Sequence, residues 1–224
     1  MVCRKWVLVI IMIPFLCFSQ YSEYEWEERD EWMPVERIFE LSEIEPGMHV
    51  ADIGCHEGYF SVHLSNAVGA KGQVFAVDVR SDRLNRLRNH LDDRDISNVK
   101  VILGDYDDPK LPEASLDVVM IIDTYHEMTS YRQILKHVYK ALKPGGKLVI
   151  LEKLKQRVRD GSRKEQTDAH TLAPNFVRRE MKAANFIIIR DVRDLGNWEE
   201  DKKKPMWMLV AEKSAKSKWS SNKL

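Results

Sequence analysis

The stretch "VADIGCHEGYF", residues 50–60, sets Asp52, Gly54, His56 and Gly58 at alternate positions, and Asp78 closes an apolar run 20 residues beyond Gly58. Glycines at such a turn let the backbone bend sharply and approach a ligand. The helix that follows offers unsatisfied N–H groups to an anionic group. A carboxylate ending the next strand can accept both hydroxyls of a ribose, and turn and acid together are more specific than either alone. A dinucleotide turn would continue G-x-G-x-x-G, but His56 and Tyr59 stand where the second and third glycines belong. A nicotinamide cofactor is therefore excluded at two positions.

A second reactive stretch is "DTYHE", residues 123–127, which leaves another apolar run. An imidazole with an ordinary pKa near 6.5 can take a proton from a hydroxyl or amine, so His126 is a candidate base. Tyr125 or Glu127 would orient its substrate. A plain hydrogen-bonding role for His126 at the next helix is the competing reading. Asp105 and Tyr106 follow a third run in "LGDYDD", and His170 and Trp32 are candidates to close over the pocket. No metal-ligand pattern is nominated.

The elements that must position these residues follow from periodicity. "MHVADIG", "GQVFAVDV", "NVKVILGD", "LDVVMIID" and "KPGGKLVILEK" read as buried strands. "YFSVHLSNAV", "SDRLNRLRNHL" and "SYRQILKHVYKAL" between them read as helices, with Ser81 as a cap and Ser130 and Gln133 at capping-box spacing. Strands alternating with helices of this length make a doubly wound parallel sheet. "LKQRVRDGSRKEQTDAH" reads as an aperiodic connector, and "LAPNFVRREMKAAN" as a helix that Asn185 closes in a left-handed conformation. "FIIIRDV" and "MWMLVAEK" have no helix between them, so they should pair antiparallel at the sheet edge. The fold class expected is thus α/β, a mostly parallel seven-stranded sheet with an antiparallel edge strand.

Residues 1–19 carry Arg4 and Lys5 before an apolar run from Trp6 to Phe18. The run is shorter than the roughly 20 residues of a membrane span and has the layout of a signal peptide. The expectation is export, periplasmic or secreted, with a retained membrane anchor as the alternative. Residues 20–43 form an acidic, Trp-rich lead and a helix after Pro34, 44–212 the main domain, and 213–224 a polar basic tail. Cleavage after Ser19 leaves Cys55 as the one cysteine, so no internal disulfide can form. The 35 basic residues balance 35 acidic ones, which argues against a nucleic-acid groove.

Several motifs in order resemble the class I S-adenosylmethionine-dependent methyltransferases: "VADIGCHEGYF", "VFAVDV", "LGDYDD", "LDVVMIIDTYHE" and "LKPGG", within about residues 44–212. The resemblance implies S-adenosylmethionine as cofactor. Asp52 would reach the methionine amino group, Gly54 and Gly58 would line the amino-acid tail, and Asp78 would hold the ribose. Asp105, with Tyr106 beside it, would accept from the adenine amine, and Asp123 and Tyr125 would border the methyl group and the acceptor. His56 departs from the family, which most often has glycine there. The Asn/Asp-Pro-Pro segment of base-amino methylation is missing, and one cysteine is too few for arsenic methylation. A small-molecule or lipid-like acceptor is what remains for an enzyme. The other class of function left open is a noncatalytic binding module on the same fold.

Overall fold

A computed structural model of the protein describes residues 25–214. The signal-peptide-like leader and nearly all of the basic tail lie outside the described residues. The elements run α1 (Trp26–Trp32), α2 (Val35–Ser42), β1 (His49–Ile53), α3 (Tyr59–Val68), β2 (Gln73–Asp78), α4 (Ser81–Asp92), β3 (Val99–Leu103) and β4 (Leu116–Ile122). They continue with α5 (Tyr131–Ala141), β5 (Leu142–Lys153), α6 (Arg163–Asp168), α7 (Pro174–Ala183), β6 (Phe186–Val192) and β7 (Met206–Lys213).

The seven strands form one sheet in the order β3-β2-β1-β4-β5-β7-β6. β1 to β5 are parallel, while β7 runs against both β5 and β6. The expected α/β sheet with antiparallel pairing at one edge is therefore present, with β6 outermost. Because side chains alternate along a strand, the sheet builds two cores. Ala51, Ile53, Val119, Ile121, Leu148 and Ile150 pack with α5 and α7 on one face. Val50, Val74, Val118, Met120, Val149 and Leu151 pack with α1, α2 and α3 on the other. The winding reverses between β1 and β4, and a crevice opens outside their carboxyl ends, where ligands of such sheets bind.

Local details depart from the sequence reading. Ser81 is the first helical residue of α4 rather than its cap, and Ser130 makes no side-chain capping bond, so the capping box expected there does not form. A capping box does close in the stretch read as an aperiodic connector, where Ser162 and Glu165 bond reciprocally at the start of α6. Asn185 has φ +66°, the left-handed cap expected of it. The Trp-rich lead holds the short helix α1. Among the described residues no helix is long and apolar enough to cross a membrane.

Candidate active site

Both glycines of the first turn are in the left-handed region, Gly54 at φ +81° and Gly58 at φ +98°, but they serve different ends. A Cβ at Gly54 would overlap the Thr124 side chain, so this glycine lets the turn after β1 lie against the segment after β4. Gly58 is not part of the cleft wall. A Cβ there would overlap Leu87, so its role is to bring α3 against α4, which corrects the expectation that it lines the cofactor tail. Glu57 is buried and joins the same fastening, 2.5 Å from Arg83 Nη1 and 2.9 Å from Arg86 Nη1.

His56 keeps the backbone of the glycine it replaces, with φ +52°. A side chain in that region costs roughly 1–2 kcal/mol, and a hydrogen bond offsets part of it. The His56 N–H donates to Asp78 Oδ2 at 2.9 Å, while Arg80 N–H donates to Asp78 Oδ1 at 2.9 Å. Asp52, near the end of β1, is buried and accepts from Ser61 Oγ at 2.7 Å. Burial pushes its pKa up to about 6, against the opposing pulls of Ser61 and Arg29.

The opposite wall rests on adjacent residues of β5 that face opposite sides of the sheet, Lys153 lining the cleft and Glu152 lying behind His126. Glu152, fully buried, holds His126, with Nδ1 at 2.7 Å and the backbone N–H at 3.0 Å. Lys153 pairs with the Asp123 carboxylate on the other face, and its Nζ lies 4.5 Å over the Trp198 ring. Asp123 itself has φ +49°, and His170 has φ +52°. Left-handed backbone at three non-glycine residues of one crevice is strain of the kind stored at functional sites.

His126 does not meet the expectation of a base titrating near neutrality. Burial alone would lower its pKa, but Glu152 on one nitrogen and Glu127 on the other outweigh burial and push it up to about 10. Glu127, bonded to His126 and His170, is held down at about 2. At neutral pH an imidazole in this setting donates rather than accepts. Tyr125 leaves the candidate set altogether. It is fully buried in the core, donating to Glu180 Oε2 at 2.9 Å, and lines neither of the two clefts of the site. Trp32 packs on Trp198 with ring centroids 4.9 Å apart and does not close the site.

These side chains enclose a cleft of about 290 Å³ walled by Arg29, Asp52, Tyr59, Asp123, His126 and Lys153. A smaller one of about 120 Å³ adjoins it, walled by Val79, Asp105, Tyr106, Met128 and Ile134. Gly54, Asp78, Thr124 and Glu127 border both. Asp105 bonds Lys110 at 3.0 Å, and Tyr106 is three-quarters exposed. Arg29, Thr124, Glu152 and Lys153 were not found from sequence. The pair "EK" closing the apolar run of β5 was the available signal for the last two, since charges ending a buried strand are placed at the crevice.

The profile of a methyltransferase domain family matches residues 44–212. The chain belongs to the class I S-adenosylmethionine-dependent methyltransferases. A demethylmenaquinone methyltransferase from Geobacillus sp. (strain WCH70) is 30% identical over 109 residues, 49% of this chain and 47% of the relative. The ubiquinone/menaquinone biosynthesis C-methyltransferase UbiE of Shewanella oneidensis is 33% identical over 114 residues, 50% of this chain and 45% of the relative. This methyltransferase thus matches about half the length of those relatives. A SAM-dependent methyltransferase from Aquifex aeolicus has the same fold, with a TM-score of 0.70 at 21% identity over 85% of this chain and 98% of that one.

The residues present fit the family's cofactor. Two adjoining clefts meet at Asp78, which has spent two lone-pair directions on backbone N–H groups and keeps the others for hydroxyls. Asp52 faces the larger cleft with Arg29, a carboxyl group and a guanidinium cation for an amino-acid tail, and Asp105 borders the smaller.

Proposed function

We propose that this methyltransferase transfers the methyl group of S-adenosylmethionine to a small-molecule acceptor of phenol or quinol type. The observation that carries the reading is the shared border of the two clefts at Gly54 and Asp78, which joins a tail-sized space to an adenine-sized one. Asp52 would hold the ammonium group, Arg29 the carboxylate, Asp78 the ribose and Asp105 the adenine amine. When bound, the cofactor supplies an electrophilic methyl group on a sulfonium. The protein's part is to hold the acceptor close and collinear and to exclude water. Tyr59, Phe60 and Ile122 give the larger cleft an apolar side suited to a ring, and Asp123, Lys153 and Glu127 give it charges that would orient a hydroxyl. The quinone-pathway names of the relatives support the same acceptor class.

Calorimetric titration with S-adenosylmethionine and with its demethylated product tests the proposal, with micromolar binding of both expected. Absence of both would return the chain to a noncatalytic binding module. Labelled methyl transfer into a panel of phenols, quinols and amines then identifies the acceptor. The basic and apolar leader supports export as part of this proposal. The mature protein is expected to begin at Gln20, and an intact mass that retains Met1 would overturn that part.

A further inference from the structure

At the mouth of the larger cleft, His126 Nε2 lies 3.0 Å from Glu127 Oε1, and His170 Nδ1 lies 2.5 Å from the same oxygen. The ligand-capable atoms of the three residues all fall within 4.8 Å of one another. Two imidazoles and a carboxylate converging on one point are a mixed nitrogen and oxygen donor set. Zn²⁺ and its first-row neighbours favour such sets, whereas Mg²⁺ and Ca²⁺ favour shells of oxygen.

Two further features fit a cation. The His126 ring is buttressed from behind by buried Glu152, which contacts Nδ1 at 2.7 Å and leaves Nε2 pointing forward. A carboxylate on the far nitrogen is the usual support of a metal-bound histidine, fixing its tautomer and strengthening it as a donor. The local charge also asks for a cation. The carboxylates of Asp123, Glu127 and Glu152 surround the two imidazoles and face the ammonium of Lys153, and a metal ion would take the place of the proton that His126 otherwise holds between Glu152 and Glu127.

We infer that His126, Glu127 and His170 bind one divalent first-row transition-metal ion, with its remaining coordination positions open to the cleft. Ligand atoms at about 2.1 Å around a tetrahedral ion stand roughly 3.4 Å apart. The His126 to Glu127 separation is close to that, and the half-exposed Glu127 carboxylate has only to withdraw from His170 by about 1 Å. Asp123, His126 and Glu152 also cluster, but they are all buried, with Asp123 occupied by Lys153 and Glu152 behind the ring. The open positions would receive an oxygen of the acceptor. That clause alone rests on the methyl-transfer reading; the metal site does not.

The test is titration of the chelator-stripped protein with Zn²⁺ and Co²⁺, followed by calorimetry and by the visible spectrum of Co²⁺, with Mg²⁺ as control. One equivalent of transition ion is expected to bind at micromolar concentration or below, and Mg²⁺ is not. His170→Ala, at an exposed position, and Glu127→Gln should each weaken binding at least tenfold. Glu152→Gln should weaken it by about 10- to 100-fold without removing a ligand. Zn²⁺ should raise the melting temperature of the wild type and not of His170→Ala. Failure of any transition ion to bind, or binding unchanged in His170→Ala, would overturn the site and leave the two imidazoles hydrogen-bonded to Glu127. Binding of S-adenosylmethionine, measured on the same preparations, reports separately on the methyl-transfer reading.

Discussion

The carboxylate of Asp78, at the end of β2, accepts the backbone N–H of His56 at 2.9 Å. The turn after β1 is thereby tied to the neighbouring strand, and the acid assigned to the ribose also holds that turn in shape. Asp78→Ala should remove both functions. Two lost hydrogen bonds to a charged acceptor correspond to about 2–4 kcal/mol of binding, a roughly 30- to 1000-fold weaker dissociation constant for S-adenosylmethionine. Asp78→Asn, which keeps one acceptor oxygen, should fall between. Titration calorimetry decides; an unchanged affinity for both variants would move the cofactor to another site.

Asp52 predicts opposite pH dependences for stability and for cofactor affinity. Its folded-state pKa is about 6 against an unfolded 3.8, so the folded protein holds the proton more tightly. The corresponding stability is fully present below about pH 4 and is lost as pH rises through 6, on the order of 3 kcal/mol. An ammonium group in the cleft prefers the ionised acid, so affinity for S-adenosylmethionine should fall below pH 6, by up to about tenfold per pH unit. Asp52→Asn should remove both slopes. Urea denaturation and titration across pH 4 to 8 measure them, and parallel slopes in wild type and variant would rule Asp52 out.

Arg29 is the cleft residue brought by α1. Its guanidinium stands 4.2 Å over the Tyr59 ring and 5.3 Å from the Trp198 ring, a stack that a planar cation holds better than an ammonium. Arg29→Met retains the bulk and removes the charge. Loss of a charge-assisted bond to the cofactor carboxylate should weaken S-adenosylmethionine by roughly 10- to 100-fold. Arg29→Lys should restore only part of it. Wild-type affinity in Arg29→Met would make α1 a cover over the aromatic cluster and nothing more.

The sheet was legible because its strands are short apolar runs between helices with one apolar face, a pattern set by local periodicity. The turn was legible from its residue types, since a left-handed corner calls for glycine at Gly54, although what that corner meets, Thr124 for Gly54 and Asp78 for the His56 N–H, stands on other segments. Roles that depend on what crosses from another element were not. Tyr125 and His126 are neighbours in one chemically rich stretch, yet one enters the core toward Glu180 and the other meets Glu152. His126 and His170 come together only because the segment after α6 returns to the end of β4. Gly58 shows the same limit, since its contact with Leu87 depends on the docking of α4.

The Asp123 and Lys153 pair gives the most direct test of what the buried charges do. Lys153 is buried at the end of β5 and Asp123 is buried at the end of β4, so each ion is the other's compensation in a place water scarcely reaches. Removing one partner leaves an uncompensated buried charge, which costs about 3–5 kcal/mol. Lys153→Met and Asp123→Asn should each destabilise the protein by roughly that amount, and asparagine tolerates the left-handed backbone that Asp123 adopts. The double variant should recover most of the loss, because two neutral side chains of similar volume need no mutual neutralisation. Urea denaturation of the four proteins closes the cycle, and strictly additive losses would show that the two groups are not coupled. If the pair is kept for the reaction rather than for the fold, the double variant will be stable and still transfer methyl groups poorly. Near wild-type transfer by a stable double variant would confine the pair to a structural role.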